Sequence, residues 1–209
     1  MAEVKQLKKG YRKFYRKYFE GETSVYKDLA DGQSPKTLIL SCSDSRVDPS
    51  IITDANPGDI FVIRNVANLV PPCQDSNNTY HGVSAALEFG VKVLKVNHIV
   101  VVGHSGCAGI RTLVETDSDE KNFDYVNDWV KIAKEAKAKS LSQDAEPATT
   151  CCEKEAVLVS LSNLLSFPWI KERVESQDLK LWGWYFSVKD GSLSEYDPNV
   201  EKFVKLETD

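Results

Sequence analysis

The chain has 209 residues, 42% apolar, 27% charged and 10% aromatic, which is the length of one domain with a sizeable core. Its 26 basic and 31 acidic residues give a formal charge of −5, which argues against nucleic acid as a partner. No run approaches the roughly 18 apolar residues of a membrane span, and five thinly spread cysteines do not make a disulfide framework.

The first twenty residues hold seven basic and two acidic groups. Val4, Leu7, Tyr11, Phe14, Tyr15, Tyr18 and Phe19 fall at helical spacing, so an apolar stripe backs a basic face. Residues 1–33 are read as a helical arm that packs on the acidic body or on a partner subunit. Lys36–Cys42 then reads as a strand, and Asp59–Arg64 as a second, entered through Asn56-Pro57-Gly58. Val83, Leu87, Val91 and Leu94 predict a helix over 82–96. His98–Gly103 is a β-branched run of the kind buried in a parallel sheet. Helical patterns follow at about 123–142 and 152–166. A late strand, 179–188, ends before the turn Asp190-Gly191 and a short return. The fold class is therefore α/β: a mostly parallel central sheet flanked by helices, with an N-terminal helical arm and a late edge strand. The whole chain, 1–209, is expected to be one domain.

In such sheets functional groups gather beyond the carboxyl ends of the strands. The first strand ends in Cys42-Ser-Asp-Ser-Arg46 and the third runs into His104-Ser-Gly-Cys107. If these strands are neighbours, their tips offer two thiols and one imidazole, a set that suits zinc with a fourth position left open. His104 and Cys107, three residues apart, are expected on one face of a first helical turn, which Gly103, Gly106 and Gly109 let approach closely. Alternation along an extended segment would put Cys42, Asp44 and Arg46 on one side, with Arg46 holding Asp44 ionised. A Cys–His protease, Cys107 as nucleophile and His104 as base, stays open on these residues, but it leaves Cys42 and the Asp44–Arg46 pair idle. Cys73, Cys151 and Cys152 are read as small buried hydrophobes, and His98 as structural.

The sequence resembles the β-class carbonic anhydrases, through Cys42-Ser-Asp-Ser-Arg46, Gly58-Asp-Ile-Phe-Val-Ile-Arg-Asn-Val-Ala-Asn68 and Gly103-His-Ser-Gly-Cys107 in order. The resemblance implies Zn²⁺ on Cys42, His104 and Cys107, with Asp44 and Arg46 as the catalytic dyad beside it. It implies a substrate pocket lined by Gln33, Phe61, Val66 and Phe89, the last a tyrosine in plant-like members. Members that carry a non-catalytic bicarbonate site place a tryptophan where this chain has Ile39, so the resemblance is to the plant-like, non-allosteric branch. The activity implied is reversible hydration of CO₂ to bicarbonate and a proton. The alternatives are hydrolysis of carbonyl sulfide or carbon disulfide, or a non-catalytic zinc-stabilised interaction protein. A homodimer or homotetramer in the cytoplasm is expected, and His81, outside the ligand set and with a suitable intrinsic pKa, is the candidate proton relay.

Overall fold

A computed structural model describes residues 2–20, 24–75, 80–116, 123–142 and 146–208; residues 1 and 21–23 of the predicted arm lie outside them. Six strands form one sheet: β1 (Thr37–Cys42), β2 (Ile60–Asn65), β3 (His98–His104), β4 (Lys180–Phe186), β5 (Leu193–Asp197) and β6 (Lys202–Lys205). Their order is β2-β1-β3-β4-β5-β6. The first four pair in parallel, and β5 and β6 continue antiparallel to the edge. The single short return read from the sequence is thus two strands, and the late strand read as an edge, β4, lies inside the sheet because β5 and β6 extend it. The helices are α1 (Ala2–Phe19), α2 (Val25–Asp28), α3 (Pro49–Ile52), α4 (Gly82–Glu88), α5 (Ala108–Glu115), α6 (Val126–Val130), α7 (Lys134–Ser140), α8 (Ala148–Leu164) and α9 (Pro168–Glu175).

Strand alternation explains the layering. Leu38, Leu40, Ile99 and Val101 face one way, into a core with Leu87, Val157, Leu164 and Ile170. Ile39, Val100 and Val102 face the other way, beside the half-buried Trp182 and Trp184. Ile39 is therefore a packed core residue. A third buried cluster, including Val47, Leu69, Ile110, Ala133 and Cys152, surrounds Cys42 and Cys107.

Two predicted helices are broken. The 82–96 segment is α4 followed by a π-helical turn, Phe89–Val93; a Cβ on Gly90 would lie 2.5 Å from a Leu38 methyl, so the turn sits against β1. The 123–142 segment is α6, a 3₁₀ turn over Lys131–Ala133, and α7. The arm is helical as predicted, yet Val4, Leu7, Tyr11 and Tyr15 are exposed along it. Its end is packed within the chain, where Phe14, Tyr18 and Phe19 gather around Tyr26 of α2.

Candidate metal centre

Because β1 lies directly beside β3, the ends of both strands deliver their cysteine and histidine to one spot. Cys42, His104 and Cys107 are all buried, with their ligand atoms within 4.8 Å of one another. The two sulfurs are 4.0 Å apart; two thiolates about 2.3 Å from one tetrahedral zinc stand about 3.8 Å apart. His104 Nδ1 lies 3.1 Å from the Ser105 carbonyl. A carbonyl only accepts, so the proton is on Nδ1 and the Nε2 lone pair is free. Nε2 is buried without a hydrogen-bond partner, as a nitrogen awaiting a metal would be. The thiols carry the same message. A hydrogen bond from Cys107 pulls Cys42 down to about 4, while the adjacent Cys42 sulfur and burial push Cys107 far up. Two buried sulfurs this close resist ionising together, and a divalent cation is what lets both be thiolates. The donor set fits zinc.

The loop after β3 reaches this spot by a route the spacing did not predict. It is not a helical turn: α5 begins at Ala108 with Cys107 as its N-cap, and Gly106 takes φ +69°. That left-handed residue folds the loop back so that Cys107 faces His104. A Cβ on Gly109 would lie 2.8 Å from Val66 and 3.0 Å from Ala67, so glycine there lets α5 lie against the segment after β2.

Asp44 and Arg46 also meet by a turn, not by alternation. The Val47 N–H donates to the Asp44 carbonyl, closing a tight turn that folds Arg46 back over Asp44. Arg46 Nε and its backbone N–H both donate to Asp44 Oδ1 at 2.9 Å, and Nη2 donates to Oδ2 at 2.7 Å. Nη2 also donates to the Gly106 carbonyl at 3.1 Å, which ties the guanidinium to the loop carrying Cys107. These hydrogen bonds hold the Asp44 carboxyl far below the usual carboxylate range. Asp44 is 17% exposed and Arg46 49%: the guanidinium lies on the solvent side of the carboxylate.

Around the dyad lie groups the sequence did not single out. Arg64 donates to the carbonyls of Cys42 and Asp44 and to Asp48 Oδ2, at 3.0, 2.7 and 2.9 Å. Glu153 of α8, buried, accepts from the Cys107 N–H and from the Tyr185 hydroxyl; burial pushes its carboxyl up.

The remaining predicted site residues are less tightly gathered. Phe61 and Phe89 stack at 5.9 Å between ring centroids, and Phe89 and Val66 are exposed. Gln33 lies on a cleft with Tyr26, Leu29 and Gly58, which none of the three candidate ligands lines. His81 immediately precedes α4 and lines a cavity of about 670 Å³ with Asn65, Val66 and Trp129. His98 accepts from Trp182 Nε1 at 3.2 Å, a structural role. Cys151 and Cys152 are buried as expected, but Cys73 is exposed: its N–H is held by Ser166 at a loop surface, so chain path overrides the apolar character of its side chain.

The family model described as carbonic anhydrase matches residues 37–193. Beta carbonic anhydrase 3 of Arabidopsis thaliana is 38% identical over 197 residues, covering 91% of this chain and 75% of that protein. A carbonic anhydrase of Synechocystis is 34% identical over 205 residues, covering 96% and 74%. Among solved structures, the β-carbonic anhydrase CcaA superposes with a TM-score of 0.89 at 32% identity, over 100% of this chain and 94% of that one. A tetrameric β-carbonic anhydrase of Sordaria macrospora superposes at 0.72 with 29% identity, covering 93% of each.

Proposed function

The chain belongs to the β-class carbonic anhydrases, and from that premise we propose that Cys42, His104 and Cys107 hold its zinc while Asp44 and Arg46 do the orienting work beside it. The reaction is the zinc-dependent, reversible hydration of CO₂ to bicarbonate and a proton. The observation that carries the residue assignment is the meeting of two sulfurs and an unpartnered imidazole nitrogen beside a locked carboxylate–guanidinium pair. When bound, zinc supplies the Lewis acidity that makes hydroxide available, tempered here by the negative charge of two thiolate ligands.

The residues supply the rest. Asp44, held ionised by Arg46, is placed to accept a hydrogen bond and would orient the oxygen nucleophile that zinc makes available towards CO₂. Arg46 occupies both carboxylate oxygens, which keeps Asp44 from swinging onto the metal. CO₂ carries no net dipole, and Val66 offers it an apolar wall; Phe61, in register with Leu38 four residues before Cys42, and Phe89 stacked on it would offer theirs to a partner's zinc. Gln33 adds a hydrogen-bonding group from a partner subunit, since its cleft lies apart from its own chain's thiols.

A homodimer or homotetramer fits this reading. Val4, Leu7, Tyr11 and Tyr15 of the α1 stripe are exposed in the single chain, and its basic face suits the acidic body of a second copy. Among the described residues no helix is long and apolar enough to cross a membrane; five cysteines that form no disulfide support a reducing, cytoplasmic setting.

His81 is proposed as the proton relay, because the cavity it lines also holds Val66 of the pocket. His81→Ala is expected to slow turnover several-fold in weak buffer, with rescue by imidazole; equal rates in weak and strong buffer dismiss the relay.

The assignment is tested by metal analysis with stopped-flow CO₂ hydration at pH 7 and pH 9. The expected outcome is one zinc per chain and turnover that is faster at the higher pH, because two thiolates weaken the metal's pull on water. Zinc without turnover at either pH would leave a scaffold in place of an enzyme.

A further inference from the structure

Among the described residues, Glu153 is the one carboxylate that is fully buried, at 2% exposure. A carboxyl group in that position survives only if its oxygens are satisfied. Oε1 accepts from the Cys107 N–H at 2.9 Å and Oε2 from the Tyr185 hydroxyl at 2.7 Å. Its partners come from different elements, the loop after β3 and strand β4, so Glu153 joins three parts of the fold at one point.

Two glycines make that reach possible. A Cβ on Gly103 of β3 would lie 2.5 Å from a Val157 methyl and 3.4 Å from the Glu153 carbonyl. A Cβ on Gly183 of β4 would lie 3.0 Å from Leu161 and 3.1 Å from Val157. Helix α8 therefore sits unusually close to β3 and β4, and its first turns bring Glu153 under the end of β3. Tyr185 lies on β4 opposite Gly103, which sets its hydroxyl against the carboxyl group.

We propose that Glu153 is a positioning residue for the zinc centre: with Tyr185 it fixes the Cys107 peptide, and through that peptide the direction of the Cys107 sulfur. This rests on the zinc assignment made above. Cys107 is the N-cap of α5 and has no side-chain cap of its own. Arg46 Nη2 holds the carbonyl end of the Gly106–Cys107 peptide and Glu153 holds its N–H end, so loss of Glu153 leaves the plane fixed at one end only and gives the Cys107 thiolate room to turn with it. Groups that orient a metal's ligands in this way commonly govern its affinity as much as the ligands' identity does.

The test compares wild type, Glu153→Gln, Glu153→Leu and Tyr185→Phe, each loaded with Co²⁺ for its visible spectrum and each titrated for Zn²⁺ against a chromophoric chelator. Glutamine keeps an oxygen for the Cys107 N–H and turns its amide towards a Tyr185 hydroxyl that can also accept. It is expected to keep the wild-type spectrum and a zinc affinity within about threefold, as the hydrogen bonds are conserved. Glu153→Leu, folded by circular dichroism, is expected to shift the cobalt bands and weaken zinc by about 10–100-fold. Tyr185→Phe is expected between them. A Glu153→Leu protein with wild-type spectrum and affinity overturns the inference, and so does a Glu153→Gln protein as impaired as Glu153→Leu, since charge would then be the cause. Should Glu153→Leu not fold, Tyr185→Phe decides alone, and wild-type behaviour there overturns it. A wild-type chain that takes up neither metal through its thiols fails the zinc assignment itself, before any variant is compared.

Discussion

Replacing Arg46 with Ala is expected to lower CO₂ hydration by about 10²–10³-fold, the usual cost of removing one preorganised electrostatic group, while the protein keeps its zinc. The reason is geometric. Arg46 makes three hydrogen bonds to the Asp44 carboxylate and one to the Gly106 carbonyl; the backbone N–H bond survives in alanine and the other three are lost. Asp44 would then keep its charge but not its direction. It lies two residues from Cys42, close enough for a released carboxylate to become a fourth ligand and close the position that solvent needs. Arg46→Lys is expected to recover little, because an ammonium cannot span both carboxylate oxygens and the loop carbonyl in one plane. Zinc content by atomic absorption separates the outcomes. Full zinc with lost turnover supports the orienting role, whereas retained full activity refutes it.

That pair also shows what the sequence could and could not reveal. Cys42, Asp44, Arg46, His104 and Cys107 were legible because reactive residues at strand ends converge wherever the strands are neighbours, and β1 and β3 are. The route was not legible. Two residues of spacing can be bridged by an extended segment or by a turn, and the carbonyl of Asp44 chose the turn by accepting from Val47. The π-helical turn at Phe89 was hidden for a related reason. Val83, Leu87, Val91 and Leu94 keep a helical period across it, whereas its position is set by the close approach of Gly90 to Leu38, a contact between distant segments. Glu153 was missed because it sits in Cys152-Glu153-Lys154-Glu155, a pattern that reads as a solvated helix face; its burial follows from two glycines on strands far along the chain. Gln33 illustrates a further limit, since the role proposed for it needs a second copy of the chain.

Arg64 is the other group whose loss is expected to matter most, and its signature differs from that of Arg46. It stands on β2 in register with Ser41 of β1, one residue short of the ligand cysteine. From there its planar fork holds two backbone carbonyls, those of Cys42 and Asp44, and the Asp48 carboxylate. The ligand and the dyad carboxylate thus share one anchor, while the Asp48 side chain also caps α3 through the Ser50 N–H. Arg64→Ala would leave the loop between β1 and α3 free to shift, and a displacement of about 1 Å at a reacting centre costs about 10²-fold in rate. Because the shift moves Cys42 itself, zinc affinity is expected to fall together with turnover, unlike in Arg46→Ala. Arg64→Lys is expected to resemble the alanine variant, since one ammonium cannot replace three donors fixed in a plane. Chelator competition and stopped-flow hydration on the same preparations test the distinction. Normal zinc affinity with impaired turnover would place Arg64 with the dyad alone, and normal values of both would show that the loop holds its shape without it.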